Sequence, residues 1–410
     1  MSGEPGPGSA EVAGPPPGGP RWLTRNVRVL SAVSLAQDAA SELLYPVLPL
    51  FITGVLGAPP VAVGVFEGVA EGTAAAAKYV SGRVSDRSGR KPLVRLGYGL
   101  AALGKVIVAM AWIWPVVLAG RVVDRLGKGI RGAPRDALLA EDVEQGDLGK
   151  VYGFHRMADT LGAVIGPLAG LAILAATQDN LRAALWIAVI PAVLSVFLVG
   201  LAREKAPTAP AATQAEDGTP VERVRVPLPQ RVRRVSLLLA LIAVVNFPDA
   251  LVLLRVSEVG FSAMGVVAVY LLYNLVYSAV SYPAGALSDR LPRARVYALG
   301  LACFAVGYLG LGLVDGGWAV VALMLVYGGF NGLTDGVGKA WITSLTPPAQ
   351  RGHAQGLFQG LSGGAVLLAG LWAGLTWEIG PGSGVVPLVI SGSVAAVAAV
   401  GLWVAGRRLG

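Results

Sequence analysis

Twelve long apolar stretches run through this 410-residue chain, and they constrain its fold more than any other feature. Each is long enough to supply the roughly 20 helical residues that cross a hydrocarbon core of about 30 Å. Only 14% of the residues are charged, whereas soluble domains carry about 25%. The chain is therefore predicted to be an all-α integral membrane protein. The stretches begin near Val27, Val61, Leu93, Trp114, Val151, Leu181, Val235, Val266, Val296, Trp318, His353 and Val385.

The basic residues behind the net charge of +8 lie mostly on one side of the predicted membrane. They therefore indicate the orientation of the chain and not a nucleic-acid-binding patch. Of the 33 Lys and Arg residues, 27 lie in or beside segments on one side of the predicted membrane. Four lie within spans, and only Arg182 and Arg255 lie near the other side. The positive-inside rule therefore predicts that both termini lie in the cytoplasm. The expected location of this multi-pass protein is the plasma or inner membrane.

Composition divides the chain into five segments. Residues 1–25 are predicted to be a disordered tail, because they are rich in Pro and Gly. They lack the basic start of a signal peptide. Residues 26–202 and 235–406 each hold six predicted spans. Between them, residues 203–234 contain five prolines and an Arg-rich end, which is typical of a cytoplasmic linker. Residues 407–410 form a short C-terminal tail.

One charged turn occurs twice, 203 residues apart. The run Gly82-Arg83-Val84-Ser85-Asp86-Arg87-Ser88-Gly89-Arg90-Lys91-Pro92 has a weaker copy that starts at Gly285 and includes Asp289 and Arg290. The same offset aligns the start of the fifth span with the start of the eleventh. The two halves are therefore predicted to be repeats of one membrane unit, with a site between them near the bilayer midplane.

This turn resembles the cytoplasmic turn between helices 2 and 3 of the major facilitator superfamily, G-x-L-x-D-R-x-G-R-K/R. The first copy departs from it by Val84 for Leu, and the second by Pro292 for Gly. The resemblance implies twelve helices in two pseudo-symmetric bundles of six, similar to drug/proton antiporters. It also implies that Asp86 helps to close the cytoplasmic side by contacts with the opposite bundle. The predicted gating residues are Gly82, Asp86, Arg87, Gly89, Arg90, Asp289 and Arg290.

Charges within spans are costly unless they have partners or line a wet cavity. Helical spacing places Asp38 and Glu42 on one polar face of the first span, and Arg121, Asp124, Arg125 and Lys128 on one face of the fourth. Asp124 has the spacing to pair with Arg121 or Lys128. The resemblance implies that Arg121 belongs to the proton-coupling apparatus. The predicted proton-coupling residues are Asp38, Glu42, Arg121, Asp124 and Arg125; the alternative is a static salt-bridge network.

The fifth span carries Gly162, Gly166, Pro167 and Gly170 at spacings that resemble the G-x-x-x-G-P-x-x-G motif of antiporters in the superfamily. Physically, glycines on one face allow two helices to approach closely. The resemblance favours export over import, and a tight helix contact alone is the other interpretation.

The second half is poor in buried charge and rich in aromatic and amide side chains, which suit a surface that binds organic compounds. Pro248 is predicted to kink the seventh span. These groups are equally suited to helix packing. The predicted substrate-binding residues are Asn246, Asp249, Tyr273, Asn274, Tyr277, Tyr327 and Asn331.

Together these features predict a proton-coupled antiporter that exports a small organic compound by alternating access. The alternatives are a proton symporter or facilitator that imports an anionic nutrient or metal chelate, and a non-transporting membrane receptor. No catalytic triad, metal-ligand cluster or complete phosphate loop is found in the sequence. An enzyme, a cofactor, a bound metal and a nucleic-acid partner are therefore not expected, nor is an obligate protein partner. The expected partners are a small-molecule substrate, protons and the lipid bilayer.

Overall fold

The computed structural model describes residues 20–57, 60–178, 180–204 and 227–409. Most of the predicted tail and of the predicted linker lies outside these residues. The described residues form thirteen α-helices in two groups. The first half contains α1 Arg25–Leu50, α2 Pro60–Ser88, α3 Arg90–Met110, α4 Trp114–Leu139, α5 Leu148–Ala176 and α6 Leu181–Val199. The second half contains α7 Gln230–Ala243, α8 Asp249–Glu258, α9 Ala263–Ser288, α10 Arg293–Leu313, α11 Gly317–Ser344, α12 Arg351–Leu375 and α13 Val385–Leu409.

The seventh predicted span is broken into α7 and α8 just before Asp249. Pro248 precedes α8, as proline does when it cannot continue a helix hydrogen-bond ladder. Carbonyls freed by the break are satisfied by side chains: Trp372 donates to the oxygen of Val244 at 2.8 Å, and Tyr308 donates to that of Phe247 at 3.4 Å. With α7 and α8 counted as one span, the fold has the twelve predicted spans, and the break places Asp249 in the first turn of α8.

The outer surface of the molecule is apolar. Eight helices of the described residues are long and apolar enough to cross a membrane. Large side chains such as Trp318, Val404 and Phe197 are 85%, 76% and 72% exposed, whereas Arg121 and Asp124 are buried inside the first half. Apolar groups outside and charged groups inside are what a hydrocarbon environment requires. The chain is an all-α, multi-pass membrane protein.

The most extensive contacts between the halves are two symmetric helix pairs, α2 with α12 and α5 with α9. The 203-residue offset relates these pairs, because it carries the start of α2 onto that of α9 and the start of α5 onto that of α12. Both contacts include the end of the molecule where α2 ends and α3 begins. This end is called the predicted cytoplasmic end below.

Candidate functional site

Asp86 connects the halves at the predicted cytoplasmic end. Its carboxylate, in the last turn of α2, accepts hydrogen bonds from the backbone amides of Gly352 at 3.0 Å and His353 at 2.7 Å. These amides begin α12, where the first N–H groups of a helix have no partner within it. A carboxylate there also interacts favourably with the helix dipole. Asp86 of the first half therefore caps a helix of the second half.

Asp289 makes the matching contact in the opposite direction. It follows α9 and accepts hydrogen bonds from the backbone amides of Gly149 at 2.7 Å and Lys150 at 2.9 Å, in the first turn of α5. Burial raises the pKa of the Asp289 carboxyl, and the two amide hydrogen bonds oppose that rise. The repeated turn is thus a pair of reciprocal helix caps.

Glycines allow the capped helices to approach so closely. A Cβ atom built on Gly82 would lie 2.5 Å from the carbonyl oxygen of Gly352. At the symmetric contact, a Cβ on Gly285 would collide with the carbonyl of Gly149. Separations this short exclude any larger side chain, so both contacts depend on the absence of a Cβ atom.

Arg90 adds a second link across the same end. Its guanidinium lies 3.6 Å from the Asp86 carboxylate and donates to the carbonyl of Pro348 in the second half at 2.7 Å. The remaining predicted gating residues take other positions. Gly89 has a φ of 89°, which favours glycine at the turn into α3. Arg290 is exposed, and the side chain of Arg87 lies outside the described residues.

The glycine motif of α5 packs directly on the α1 face that carries the predicted proton-coupling carboxyls. A Cβ on Gly162 would lie 3.0 Å from the Cβ of Asp38, and one on Gly166 would lie 2.9 Å from the Cβ of Glu42. The motif therefore sets the distance between α5 and these two carboxyl groups. Two further motif residues lie along the same helix: Pro167 and Gly170.

Asp38 faces a second carboxyl group that the sequence analysis did not pair with it. The Asp38 carboxyl faces the Asp159 carboxyl of α5, and Lys128 and Arg131 of α4 also face Asp38. Glu42, one turn further along α1, faces a similar set of α4 cations: Arg121, Arg125 and Lys128. The polar face of α1 thus lies between carboxyl and cationic groups.

Asp124 lies in a different environment from Asp38 and Glu42. Its carboxylate lies 3.0 Å from the ammonium of Lys105 on α3 and 3.8 Å from Arg121. Asp124 and Lys105 are 5% and 2% exposed. Spacing along α4 predicted that Asp124 pairs with Arg121 or Lys128, but its nearest cation comes from the neighbouring helix. This arrangement resembles the static network considered as the alternative.

Arg156 of α5 bridges the two halves. It lies 2.7 Å from Asp159 on its own helix and 2.6 Å from Asp335 on α11. Tyr277 of α9 completes the group, because its hydroxyl donates to Asp335 and accepts from Arg156. One guanidinium therefore links a carboxylate of the first half with a carboxylate and a phenol of the second.

A second bridge is centred on Asp136 of α4, which is fully buried. Its carboxylate lies 2.9 Å from Lys339 on α11 and 3.1 Å from Arg135, and it accepts a hydrogen bond from Gln359 on α12 at 2.9 Å. Two cations and an amide satisfy this carboxylate. Its geometry suits it to hold the halves together.

Asp249 is the centre of the aromatic cluster in the second half. Its two carboxylate oxygens accept hydrogen bonds from Tyr273 at 2.9 Å and Tyr327 at 2.6 Å, and Asn331 donates to the Tyr273 hydroxyl at 2.6 Å. Among the described residues, no cation lies within ion-pair distance of Asp249. Four of the predicted substrate-binding residues therefore form one cluster around a carboxylate without an ion-pair partner.

The other three predicted substrate-binding residues lie apart from this cluster or join another. Tyr277 belongs to the Arg156 bridge. Asn274 donates to the Tyr270 carbonyl of its own helix at 3.0 Å. Asn246 lines a cavity beside the break between α7 and α8, with Tyr297 and Phe304.

Sequence reasoning missed the roles of three charged residues that the fold brings to the contact between the halves. Asp136 lies inside α4, in its last turns. Asp159 lies inside α5, where Arg156 links it to the second half. Lys339 lies within the apolar α11, so the cost of a charge inside a span was a signal that could have identified it.

The family model of the Major Facilitator Superfamily matches residues 30–276 and 236–409 of this chain. An uncharacterized MFS-type transporter of Methanocaldococcus jannaschii is 30% identical over 368 residues, which cover 88% of this chain and 90% of that protein. Multidrug resistance protein MdtH of Yersinia enterocolitica is 30% identical over 131 residues, covering 31% of this chain and 32% of that protein.

The crystal structure of the human organic anion transporter MFSD10 has the same fold. It superposes with a TM-score of 0.74 at 17% sequence identity, and the match covers 94% of this chain and 100% of that one. At this identity the likeness concerns the arrangement of the helices, and it agrees with the two repeated halves described above.

Proposed function

This chain belongs to the Major Facilitator Superfamily, whose members are transporters and not enzymes, and we propose that it is a proton-coupled antiporter. In this proposal it exports a small organic compound by alternating access. The observation that carries the proposal is the position of Asp38 and Glu42. Both are half-buried carboxyl groups on a membrane helix, opposite the cations of α4. Ionisable groups at such depth are typical of proton pathways.

Alternating access requires a closed end that can open. The reciprocal caps of Asp86 and Asp289, together with the Arg90 contact, join the halves at the predicted cytoplasmic end. We propose that these contacts form the gate and that the structure represents the state closed there. Small polar contacts at helix ends suit a gate, because each contributes only about 1 kcal/mol.

Two observations support export. The α5 glycines that resemble the antiporter motif pack on the face of α1 that carries both carboxyl groups. The likeness to MdtH, a multidrug resistance protein, covers about a third of the chain. In the proposal, the second half provides the substrate contacts, with Asp249, Tyr273, Tyr327 and Asn331 at their centre.

One observation favours import of an anion as the second candidate function. Arg131 is 4% exposed and stacks over the Tyr98 ring at 4.4 Å, and two of its guanidinium nitrogens have no hydrogen-bond partner. Together with Lys128, it offers positive charge to a negatively charged nutrient or metal chelate. A buried guanidinium with unmet donors is suited to accept such a ligand.

Transport in reconstituted vesicles tests the proposal. Compounds are first screened for those that raise the thermal stability of the purified protein, because a ligand stabilises the state that binds it. The flux of each compound that binds is then measured with and without an imposed pH gradient. We expect substrate to move against protons, and an Asp38→Asn variant to lose this coupling. Co-transport with protons would establish the symporter instead, and binding without flux would establish a receptor.

The orientation of the chain in the membrane is part of the same proposal. The Lys and Arg distribution supports a protein of the plasma or inner membrane with both termini in the cytoplasm. Cysteines introduced near the N-terminus and reacted with a membrane-impermeant reagent in intact cells test it. They should react only after the cells are lysed.

A further inference from the structure

Asp38 and Asp159 lie too close together for both to be ionised without a large cost. Both carboxyl groups lie at the α1–α5 contact and face each other there, and ionised carboxylates accept hydrogen bonds but donate none. A hydrogen bond between two carboxyl groups therefore needs one proton, as in a pair of like charges that share a site. The packing of Gly162 against the Cβ of Asp38 enforces this proximity, because Asp159 lies three residues earlier on the same face of α5.

The cations around the pair determine which member carries the proton. Asp159 has two guanidinium groups nearby, Arg156 at 2.7 Å and Arg135 at 3.9 Å. Among the described residues, no cation lies within ion-pair distance of Asp38. The ionised form is favoured where the cations are closer. Asp159 is therefore the carboxylate of the pair, and Asp38 is the protonated member that donates to it.

Arg156 connects this pair with the contact between the halves. The same guanidinium that neutralises Asp159 reaches Asp335 of α11 at 2.6 Å. When Asp38 is protonated, the pair carries one negative charge and Arg156 is shared between the halves. When Asp38 loses its proton, the pair carries two negative charges, which attract Arg156 away from Asp335.

We propose that Asp38 and Asp159 hold one proton between them, and that Arg156 couples its loss to opening of the predicted cytoplasmic end. This inference rests on the proposed proton-coupled function and assigns the residues that carry it. The proton leaves Asp38 for water, and Arg156 moves from Asp335 toward the doubly charged pair. Because the closed state binds one more proton, acidic pH favours closure and alkaline pH favours opening.

Other charged groups face the pair and take part in its titration. Glu42 lies one turn along α1 from Asp38, and His155 precedes Arg156 on α5, with its ring 3.5 Å from Ser34. The groups that face one member of the pair or the other are Lys128, Arg131, Arg135, His155, Arg156 and Lys339. Glu42 and His155 are the alternative titrating groups, so each is replaced in the test.

The distance between the two halves at the predicted cytoplasmic end provides the test. Spin labels are placed at Ser88, at the end of α2, and at Ala349, before α12, both of which are exposed. The full-length protein carries Cys303→Ala, which removes its only native cysteine. Electron–electron resonance distances are measured in lipid nanodiscs from acidic to alkaline pH. We expect a short distance at acidic pH and a longer one at alkaline pH.

The variants separate the pair from its neighbours. Asp38→Asn should stay closed at every pH, because its amide donates to Asp159 as the protonated carboxyl does. Asp159→Asn should lose the pH response, and Asp335→Asn should shift its midpoint to lower pH by about one unit or more, because Arg156 is then free to neutralise the pair. Glu42→Gln and His155→Gln should retain the response. The inference fails if the Asp38→Asn and Asp159→Asn variants still respond, or if the response is lost only with Glu42 or His155.

Infrared difference spectra of the unlabelled protein give a measure that needs no variant. The shared proton predicts a protonated carboxyl band that disappears over the pH range of the distance change, and a band that persists would overturn the inference. Spin-label distances that do not change with pH in the protein without further substitutions would also overturn the inference. The vesicle experiment judges the proposed function separately, because a proton carried by Glu42 would still drive transport.

Discussion

At the scale of single residues, the buried pair of Lys105 and Asp124 is a position where replacing one residue should destabilise the first half. The two groups are 3.0 Å apart and almost fully buried between α3 and α4. A Cβ on Gly104 would lie 2.6 Å from the Asp124 nitrogen, so the helices are in backbone contact at this point. Removal of one partner from such a pair leaves an uncompensated charge in a medium that solvates it poorly.

Asp124→Asn is therefore expected to destabilise the protein by about 3–5 kcal/mol, because it leaves the Lys105 ammonium without its counter-charge. Thermal unfolding of the purified protein in detergent measures this loss. The double variant Lys105→Met with Asp124→Leu should recover most of the stability, because neither member of the Lys105–Asp124 pair is then left without the other. If the stable double variant still couples transport to protons, Asp124 is not a proton carrier. If it is stable but uncoupled, Asp124 takes part in coupling.

At the scale of elements, the α1–α5 contact shows how backbone packing positions ionisable groups. Gly162 and Gly166 bring the backbone of α5 against α1 at the level of Asp38 and Glu42. Small residues allow such an approach, and van der Waals contact then holds the two helices together in the membrane. The distance between a carboxyl of α1 and one of α5 thus depends on residues that carry no charge.

Gly166→Ala should separate these helices, because its Cβ would lie 2.7 Å from the Ala39 carbonyl oxygen and 2.9 Å from the Cβ of Glu42. Overpacking of this kind costs about 1–3 kcal/mol, and the thermal midpoint should fall. Gly99→Ala is the matched control, because no atom lies within 4 Å of its Cβ position. The control should be neutral or stabilised by up to about 1 kcal/mol. Equal effects of the two substitutions would contradict the packing argument.

At the scale of the whole molecule, the repeat of the two halves gives the predicted cytoplasmic end two matching contacts. Each half supplies one aspartate, Asp86 or Asp289, and each offers one helix start to be capped. Reciprocal caps give two equivalent contacts at different places on one interface. Opening at this end must break both, because each cap joins a helix of one half to an aspartate of the other.

Asp86→Ala and Asp289→Ala should each favour opening by a similar amount. Loss of a cap costs about 1 kcal/mol, which changes the ratio of closed to open molecules roughly fivefold. The Ser88–Ala349 distance distribution measures this ratio. Asp147→Ala is the matched control, because Asp147 pairs with Lys150 of its own half at the same end. A shift with Asp147→Ala as large as with Asp86→Ala would show a general effect of charge and not of capping.

Much of the fold was predictable from the sequence. The predicted spans begin within five residues of the observed helices, and the break before α8 lies at the predicted proline. The charged turns also mark the residues that connect the halves, with Asp86 and Asp289 at equivalent positions. These features could be predicted because membrane spans need long apolar helices and because a repeat can be recognised in the sequence alone.

The partners of the charged residues were decided by the tertiary structure. Asp38 meets Asp159, Asp124 meets Lys105, and Asp136 meets Lys339, and none of these pairings follows from spacing along a helix. Helical periodicity places a residue on a face, but the rotation and separation of neighbouring helices decide what that face meets. By itself, the sequence determined the spans, their repetition and the charged turns between them. The packing of helix backbones decided which charges meet inside the membrane. This packing depends on glycines that are distant in sequence from the charged residues they bring together.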